Sequence, residues 1–135
     1  MTAPDGDGSY RLSVRREFVA QHFLTVPDPG PEGEVHSHRF AVELRFAGPE
    51  LGEHGYLVDI DVVRTALDGL EDRYRDTLLN DLPEFDGHNP SVEHFARVVG
   101  DRVVEYLDDP TPTSLTVRVW EDDAAWASHE RRLDR

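Results

Sequence analysis

From Arg11 to His22 the even-numbered positions read Leu12, Val14, Arg16, Phe18, Ala20 and His22, an apolar face interrupted by one arginine. A cleaner alternation runs from His36 to Phe46. It sets His36, His38, Phe40, Val42, Leu44 and Phe46 against Ser37, Arg39, Ala41, Glu43 and Arg45. Successive strand side chains point to opposite faces, so both runs predict half-buried antiparallel strands with one wet face. The Pro- and Gly-rich stretch "VPDPGPEGE", residues 26 to 34, is a loop between them. After "GPELGEHG" the segment "YLVDI" reads as a short extension strand. Val63, Ala66, Leu67, Leu70 and Tyr74 then recur at helical spacing behind Asp59 and Asp61 as capping residues, which predicts a first helix to about Leu79. "HNPSVEHF" opens a second helix, with Asn89 as N-cap, Pro90 at the first helical position and Glu93 complementing the dipole. Val92, Phe95, Ala96, Val99 and Val103 line its buried side. Beyond "DDPTPTS", Leu115, Val117 and Val119 share one face of a third strand, and "AAWASHE", 124 to 130, supplies a fourth.

The order strand, strand, helix, helix, strand, strand predicts an α+β fold, an antiparallel sheet with both helices on one face. With 135 residues the chain makes one domain. Residues 1–9 read as a disordered lead-in and 10–135 as the domain itself. No internal repeat is visible.

Charge narrows the function classes. There are 14 basic residues against 28 acidic, a formal net charge of −14. Phosphate contacts need clustered basic side chains, so a general nucleic-acid footprint is not expected. All the basic residues are Arg, which reflects either biased codon usage or a surface adapted to a salty cytoplasm. Cysteine is absent, which excludes disulfides, thiolate metal sites and a thiol nucleophile. No apolar run approaches the roughly 20 residues of a membrane helix, and "MTAPDGDGSY" lacks a signal pattern. The expectation is a soluble, cytoplasmic protein with no membrane partner.

The candidate chemistry sits at the strand ends. His36 and His38 are two apart on a strand, so both rings project from one face with Cα atoms roughly 6.5–7 Å apart. His22 shares the even-numbered face of the preceding strand. If the strands pair as a hairpin, His22 comes beside His36 and His38. Three neutral imidazoles then converge with a fourth position open, the arrangement of a catalytic zinc site. The competing reading is a set of hydrogen-bonded core histidines. Zn²⁺ is the default ion for such ligands, with Fe²⁺ and Ni²⁺ left open. Glu121 is the second oddity, a carboxylate at the end of an apolar strand face. Either it meets a planar ligand with two adjacent N–H donors, as a 2-aminopyrimidinone edge offers, or the strand runs out into solvent there.

"FVAQH", "HSHRF", "GYLVDI", "LLNDLPEFDGHNPSVE" and "VRVWE", in this order, resemble the 6-pyruvoyl-tetrahydropterin and 6-carboxytetrahydropterin synthase family from Tyr10 onward. The resemblance implies a tunnelling fold (ββααββ) that assembles into a homohexamer with sites between subunits. It implies Zn²⁺ on His22, His36 and His38, where the metal polarises the side chain of 7,8-dihydroneopterin triphosphate and stabilises the oxyanion formed as protons move. It further implies that Glu121 clamps the pterin ring and that Asn89 to Glu93, with Ser91 and Glu93, line the pocket. The resemblance implies a lyase of the 6-pyruvoyl/6-carboxytetrahydropterin synthase type, in the deazapurine (queuosine) or the pterin pathway, and does not fix which product is made.

The departures are specific. The family's general base is usually a Cys in the loop before the paired histidines. This loop offers Glu32 and Glu34 instead, with Glu32 preferred on spacing. The family's Asp-His pair falls on Arg75 and Asp76, of which Asp76 is an acid-base candidate and Arg75 a surface residue. Family branches with Glu at the Cys position cleave the side chain toward 6-hydroxymethyl-dihydropterin. That reading stays open, as does a zinc- and pterin-binding module with little turnover. His54 and His88 read as solvated loop residues.

Overall fold

The two alternating runs form 13-residue strands, β1 (Tyr10–His22) and β2 (His36–Gly48). They pair antiparallel in a register that sets Phe18 against Phe40 and Val14 against Leu44, so the apolar faces of both strands point the same way. β3 (Ser114–Trp120) adds to β2 with Val42 opposite Val119 and Leu44 opposite Val117, and β4 (Trp126–Arg132) closes the order β1-β2-β3-β4. The computed structural model describes residues 9–133. Of the lead-in expected over residues 1–9, only Ser9 is among them.

Helix α1 (Ile60–Tyr74) packs against β1, and α2 (Val92–Val103) against β3 and β4. Their apolar sides join the inner sheet face in one core, in which Phe40, Leu44, Leu67, Tyr74 and Phe95 are fully or almost fully buried. Arg16, the interruption on the inner face of β1, reaches Glu71 at 2.8 Å and Asp68 at 3.0 Å on α1. It ties strand to helix at the rim of the core. Opposite it, Arg131 of β4 crosses α2 at Gly100, where a Cβ would lie 2.9 Å from the guanidinium. Arg131 donates there to the Arg97 carbonyl at 3.1 Å and to Asp101 at 2.8 Å.

Three boundaries differ from the sequence-based expectation, each for a local reason. "YLVDI" forms no strand: Leu57 and Val58 bury as a loop, and Asp59, whose side chain accepts from the Asp61 N–H at 2.9 Å, starts α1 immediately afterwards. Helix α1 stops at Tyr74 rather than near Leu79. Asp76 takes φ +55, its N–H donates to the Val19 carbonyl at 2.7 Å, and Leu78 bridges to Gln21, so the edge of β1 takes over the backbone groups. In α2 the N-cap is Ser91, not Asn89: the Ser91 hydroxyl accepts from the His94 N–H at 3.2 Å.

One carboxylate joins the two helices. Glu84, in the short turn Pro83–Phe85, accepts from Arg73 twice at 2.6 Å, from the Tyr74 hydroxyl at 2.8 Å and from Arg102 at 3.1 Å. The Arg73 hydrogen bonds hold the Glu84 carboxyl down at about 2, while burial and the Glu84 contact push the Tyr74 phenol well above its ordinary range. A depressed carboxyl pKa stabilises the folded state above the unfolded value, and that contribution is lost as pH falls toward the folded one. Glu84→Gln is therefore expected to lower stability at pH 7 by about 3 kcal/mol. The gap to wild type should close between 4.5 and about 2. Denaturant titrations of both proteins across that range check it; a gap that does not change with pH would rule out the linkage.

Candidate metal centre

The antiparallel register places His22 directly opposite His36, and His38 opposite Ala20. The three rings close on one another, with centroids 4.6 Å apart for His22 and His36, 5.2 Å for His22 and His38, and 4.9 Å for His36 and His38. One ring nitrogen of each lies within 4.8 Å of the others. His22 is buried at 1% exposure, and His36 and His38 are half-buried.

Two backbone carbonyls aim these rings. His22 Nδ1 is 2.8 Å from the Pro90 carbonyl, and His36 Nδ1 is 2.8 Å from the Glu34 carbonyl. A carbonyl only accepts, so both Nδ1 atoms carry a proton, and in the neutral ring each Nε2 presents its lone pair. Desolvation lowers the pKa of His22, and the neighbouring His36 and His38 lower it further, so its ring stays neutral at pH 7. The Nε2 atoms of all three histidines are buried and have no hydrogen-bond partner. Buried polar atoms are rarely left so. Three converging imidazole lone pairs, with hydrogen bonds fixing two of the tautomers, fit a borderline divalent ion such as Zn²⁺.

The chain beyond His22 is clamped by two side-chain amides. Asn80 accepts from the Phe23 N–H at 2.9 Å and donates to its carbonyl at 3.0 Å, while Asn89 accepts from the Thr25 N–H at 2.9 Å. Asn80 thus acts as one more ladder partner at the end of β1 and holds His22 in register.

Glu121 follows β3 immediately, its N–H donating to the Ala125 carbonyl at 3.0 Å. Its Oε1 is 3.5 Å from His38 Nε2 and 4.0 Å from His22 Nε2. Glu32 lies in the single turn Gly30–Gly33, and with His38 and Glu121 it forms a second group of ligand-type atoms within 4.8 Å of one another. Beside these residues a cavity of about 300 Å³ opens on the sheet face away from the helices, lined by Arg15, Arg39, Ala41 and Trp120 together with His38 and Glu121. Larger clefts, about 630 and 620 Å³, lie along Thr113–Leu133 and beside Tyr10 and Tyr56, and neither reaches the histidines.

Among the described residues, neither ligand group includes Glu34, Asp76 or Glu93. Glu34 meets the centre through its carbonyl, Asp76 is exposed beyond α1, and Glu93 is exposed in the first turn of α2. The Ser91 hydroxyl is engaged as the α2 cap. Arg75 is exposed and pairs with Glu71 at 3.3 Å. His54 lies near the Tyr56 ring, and His88, an exposed loop residue, meets the His94 ring edge to face with centroids 5.2 Å apart. What the sequence did not disclose is the role of Pro90 and Glu34 as aligners, because both act through backbone oxygen.

Residues 11–132 match the 6-pyruvoyl tetrahydropterin synthase family. The chain belongs to that family. It is 33% identical over 119 residues to the 6-carboxy-5,6,7,8-tetrahydropterin synthase of Bacillus subtilis, covering 84% of this chain and 80% of that protein. The 6-pyruvoyl tetrahydropterin synthase of Caenorhabditis elegans superposes with a TM-score of 0.78 at 14% identity, over 92% of this chain and 96% of that one. A Plasmodium vivax 6-pyruvoyltetrahydropterin synthase, solved as a mutant with a catalytic glutamate exchanged for alanine, gives 0.76 at 16% identity, over 93% and 99%. These likenesses establish the tunnelling fold for the four-stranded sheet and its two helices. No helix among the described residues is long and apolar enough to cross a membrane.

Proposed function

We propose that the protein is a zinc-dependent lyase acting on 7,8-dihydroneopterin triphosphate, in the cytoplasm, with a 6-carboxytetrahydropterin product that serves deazapurine (queuosine) synthesis. The observation that carries this reading is the convergence of three partnerless imidazole nitrogens beside the carboxylates of Glu32 and Glu121. The 6-carboxy-tetrahydropterin synthase relative from Bacillus subtilis supports the product class. Zinc held by His22, His36 and His38 supplies Lewis acidity toward the oxygens of the substrate side chain.

The remaining roles belong to the protein. Glu121 accepts from the two N–H donors of the pterin edge, with the neighbouring cavity taking the ring. Glu32 removes and returns a proton at a side-chain carbon. Ser91 and Glu93 border the pocket from the amide end of α2, next to the Pro90 carbonyl that aligns His22. The assembly is a homohexamer with sites between subunits. Asp76, which stands outside its own chain's histidine cluster, serves a neighbouring copy.

A second reading rests on the missing thiol. With no Cys in the chain, a carboxylate must act as base, as a glutamate is catalytic in the Plasmodium vivax synthase. Such a centre cleaves the side chain to 6-hydroxymethyl-dihydropterin. Incubating zinc-loaded protein with 7,8-dihydroneopterin triphosphate and identifying products by mass spectrometry separates the two. A 6-carboxy product is expected. A 6-hydroxymethyl product makes the second reading correct, and unchanged substrate with zinc and pterin bound makes the chain a binding module.

A further inference from the structure

We propose that Asn80 and Asn89 are positioning residues for Glu32: their side-chain amides latch the β1–β2 loop so that the Glu32 carboxylate stays beside the histidine cluster. This rests on the reading of Glu32 as the base and adds what holds that base in place.

The loop between His22 and His36 cannot hold itself by continuing the strands. Pro27, Pro29 and Pro31 lack an N–H, and Asp28 and Gly30 take φ +51 and +68, which turns the chain out of extended geometry. Among the described residues, the hydrogen bonds that tie residues 23–33 to elements outside the loop are all made by two side-chain amides. Asn80, in the short turn Leu79–Asp81, accepts from the Phe23 N–H at 2.9 Å and donates to the Phe23 carbonyl at 3.0 Å. Asn89, just ahead of α2, accepts from the Thr25 N–H at 2.9 Å and from its hydroxyl at 3.4 Å. Leu24 stands between the two clamped residues, and its own N–H donates to the Glu32 carbonyl at 2.8 Å. The two amides therefore reach Glu32 through a single backbone hydrogen bond.

Glu32 is held from its other side as well. The Glu34 N–H donates to the Pro31 carbonyl at 3.2 Å and closes the turn Gly30–Gly33. Between these anchors the Glu32 carboxylate forms, with His38 and Glu121, a group of ligand-type atoms within 4.8 Å of one another. Glu32 itself is exposed, so burial does not fix it there and the backbone has to. Misplacing a reacting group by about 1 Å lowers the rate on the order of 10²-fold. The Asn89 side chain has no competing duty as a cap, because Ser91 caps α2.

Asn89→Ala is the leading variant, since its bond to Thr25 lies at the surface and losing it leaves the core intact. With zinc-loaded protein and 7,8-dihydroneopterin triphosphate, it is expected to lower kcat about 10- to 100-fold with KM little changed, the signature of a misplaced reacting group. Zinc affinity should match wild type. The Leu24 amide hydrogen, followed by hydrogen exchange and NMR, should lose protection in the same variant. Asn89→Asp keeps the acceptor for the Thr25 N–H and should restore both rate and protection. Asn80→Ala should repeat the two losses. In a Glu32→Gln background, Asn89→Ala should lower kcat no further. Wild-type kcat in both alanine variants would overturn the proposal, as would a fall in kcat with Leu24 protection intact or an undiminished fall in the Glu32→Gln background. Wild-type turnover in Glu32→Gln alone would instead remove the base reading beneath it.

Discussion

His36→Ala is expected to strip the protein of its metal, lowering zinc affinity by more than about a hundredfold, since even disturbing a ligand's outer partner costs 10- to 100-fold. His36 is the informative position of the three. His22 is fully buried and hydrogen-bonded to Pro90, so its truncation removes a ligand, opens a cavity and orphans a carbonyl together. The His36 ring is half-buried at the start of β2, and its other bond goes to the adjacent Glu34 carbonyl, which reaches solvent when the ring is gone. The loss should therefore register in metal binding rather than in folding. Zinc at a thousand times its dissociation constant stabilises a native state by about 4 kcal/mol. Wild type should show that rise in thermal midpoint on adding zinc, and His36→Ala should not. One tightly held zinc per chain in the variant, by metal analysis after dialysis, would refute the ligand set.

The sheet and core were legible because period and burial agree along β1, β2 and β3. Phe40, Val42, Leu44 and Phe46 recur every second residue and meet Phe18, Val119, Val117 and Leu115 in register. The helix limits were less legible. Apolar spacing continues past Tyr74, and what ends α1 is the edge of β1, more than fifty residues earlier in the chain, taking the Asp76 amide. At α2, Asn89 and Ser91 both carry good capping side chains. The choice between them was made by Thr25, whose N–H occupies the Asn89 oxygen. Nor does any periodicity announce Glu84, whose three partners come from two helices.

At the centre, strand parity accounts for the convergence of His22, His36 and His38, because a hairpin register carries same-face residues to the same edge. The aiming of the rings was invisible. It depends on the carbonyls of Pro90 and Glu34, and any residue at those positions has a carbonyl. Glu34 illustrates the difficulty, since its carboxylate suggested proton transfer and its backbone oxygen does the positioning. Glu32 and Glu34 could not be separated by counting along an acidic loop. The turn Gly30–Gly33 separates them by turning Glu32 toward His38 and Glu121.

Glu32→Gln is expected to lower turnover of 7,8-dihydroneopterin triphosphate by about 10²–10⁴-fold, the usual worth of a positioned general base. Zinc content and the zinc-induced thermal shift should stay at wild-type values, because Glu32 is absent from the histidine ligand group. Glutamine keeps the size and hydrogen-bonding reach of glutamate and removes only the ability to take a proton, so a drop measures proton transfer rather than packing. Glu34→Gln is the matched control. It removes a carboxylate of the same loop and preserves the carbonyl that receives His36 Nδ1, so activity should change little. Reduced turnover in the Glu34 variant with wild-type turnover in the Glu32 variant would transfer the role to Glu34. A loss in both would point to the loop's charge instead of one base, since neighbouring carboxylates then act through the field at the centre. Unchanged turnover in both would leave the proton to Asp76 of a neighbouring copy, and Asp76→Asn would then carry the loss.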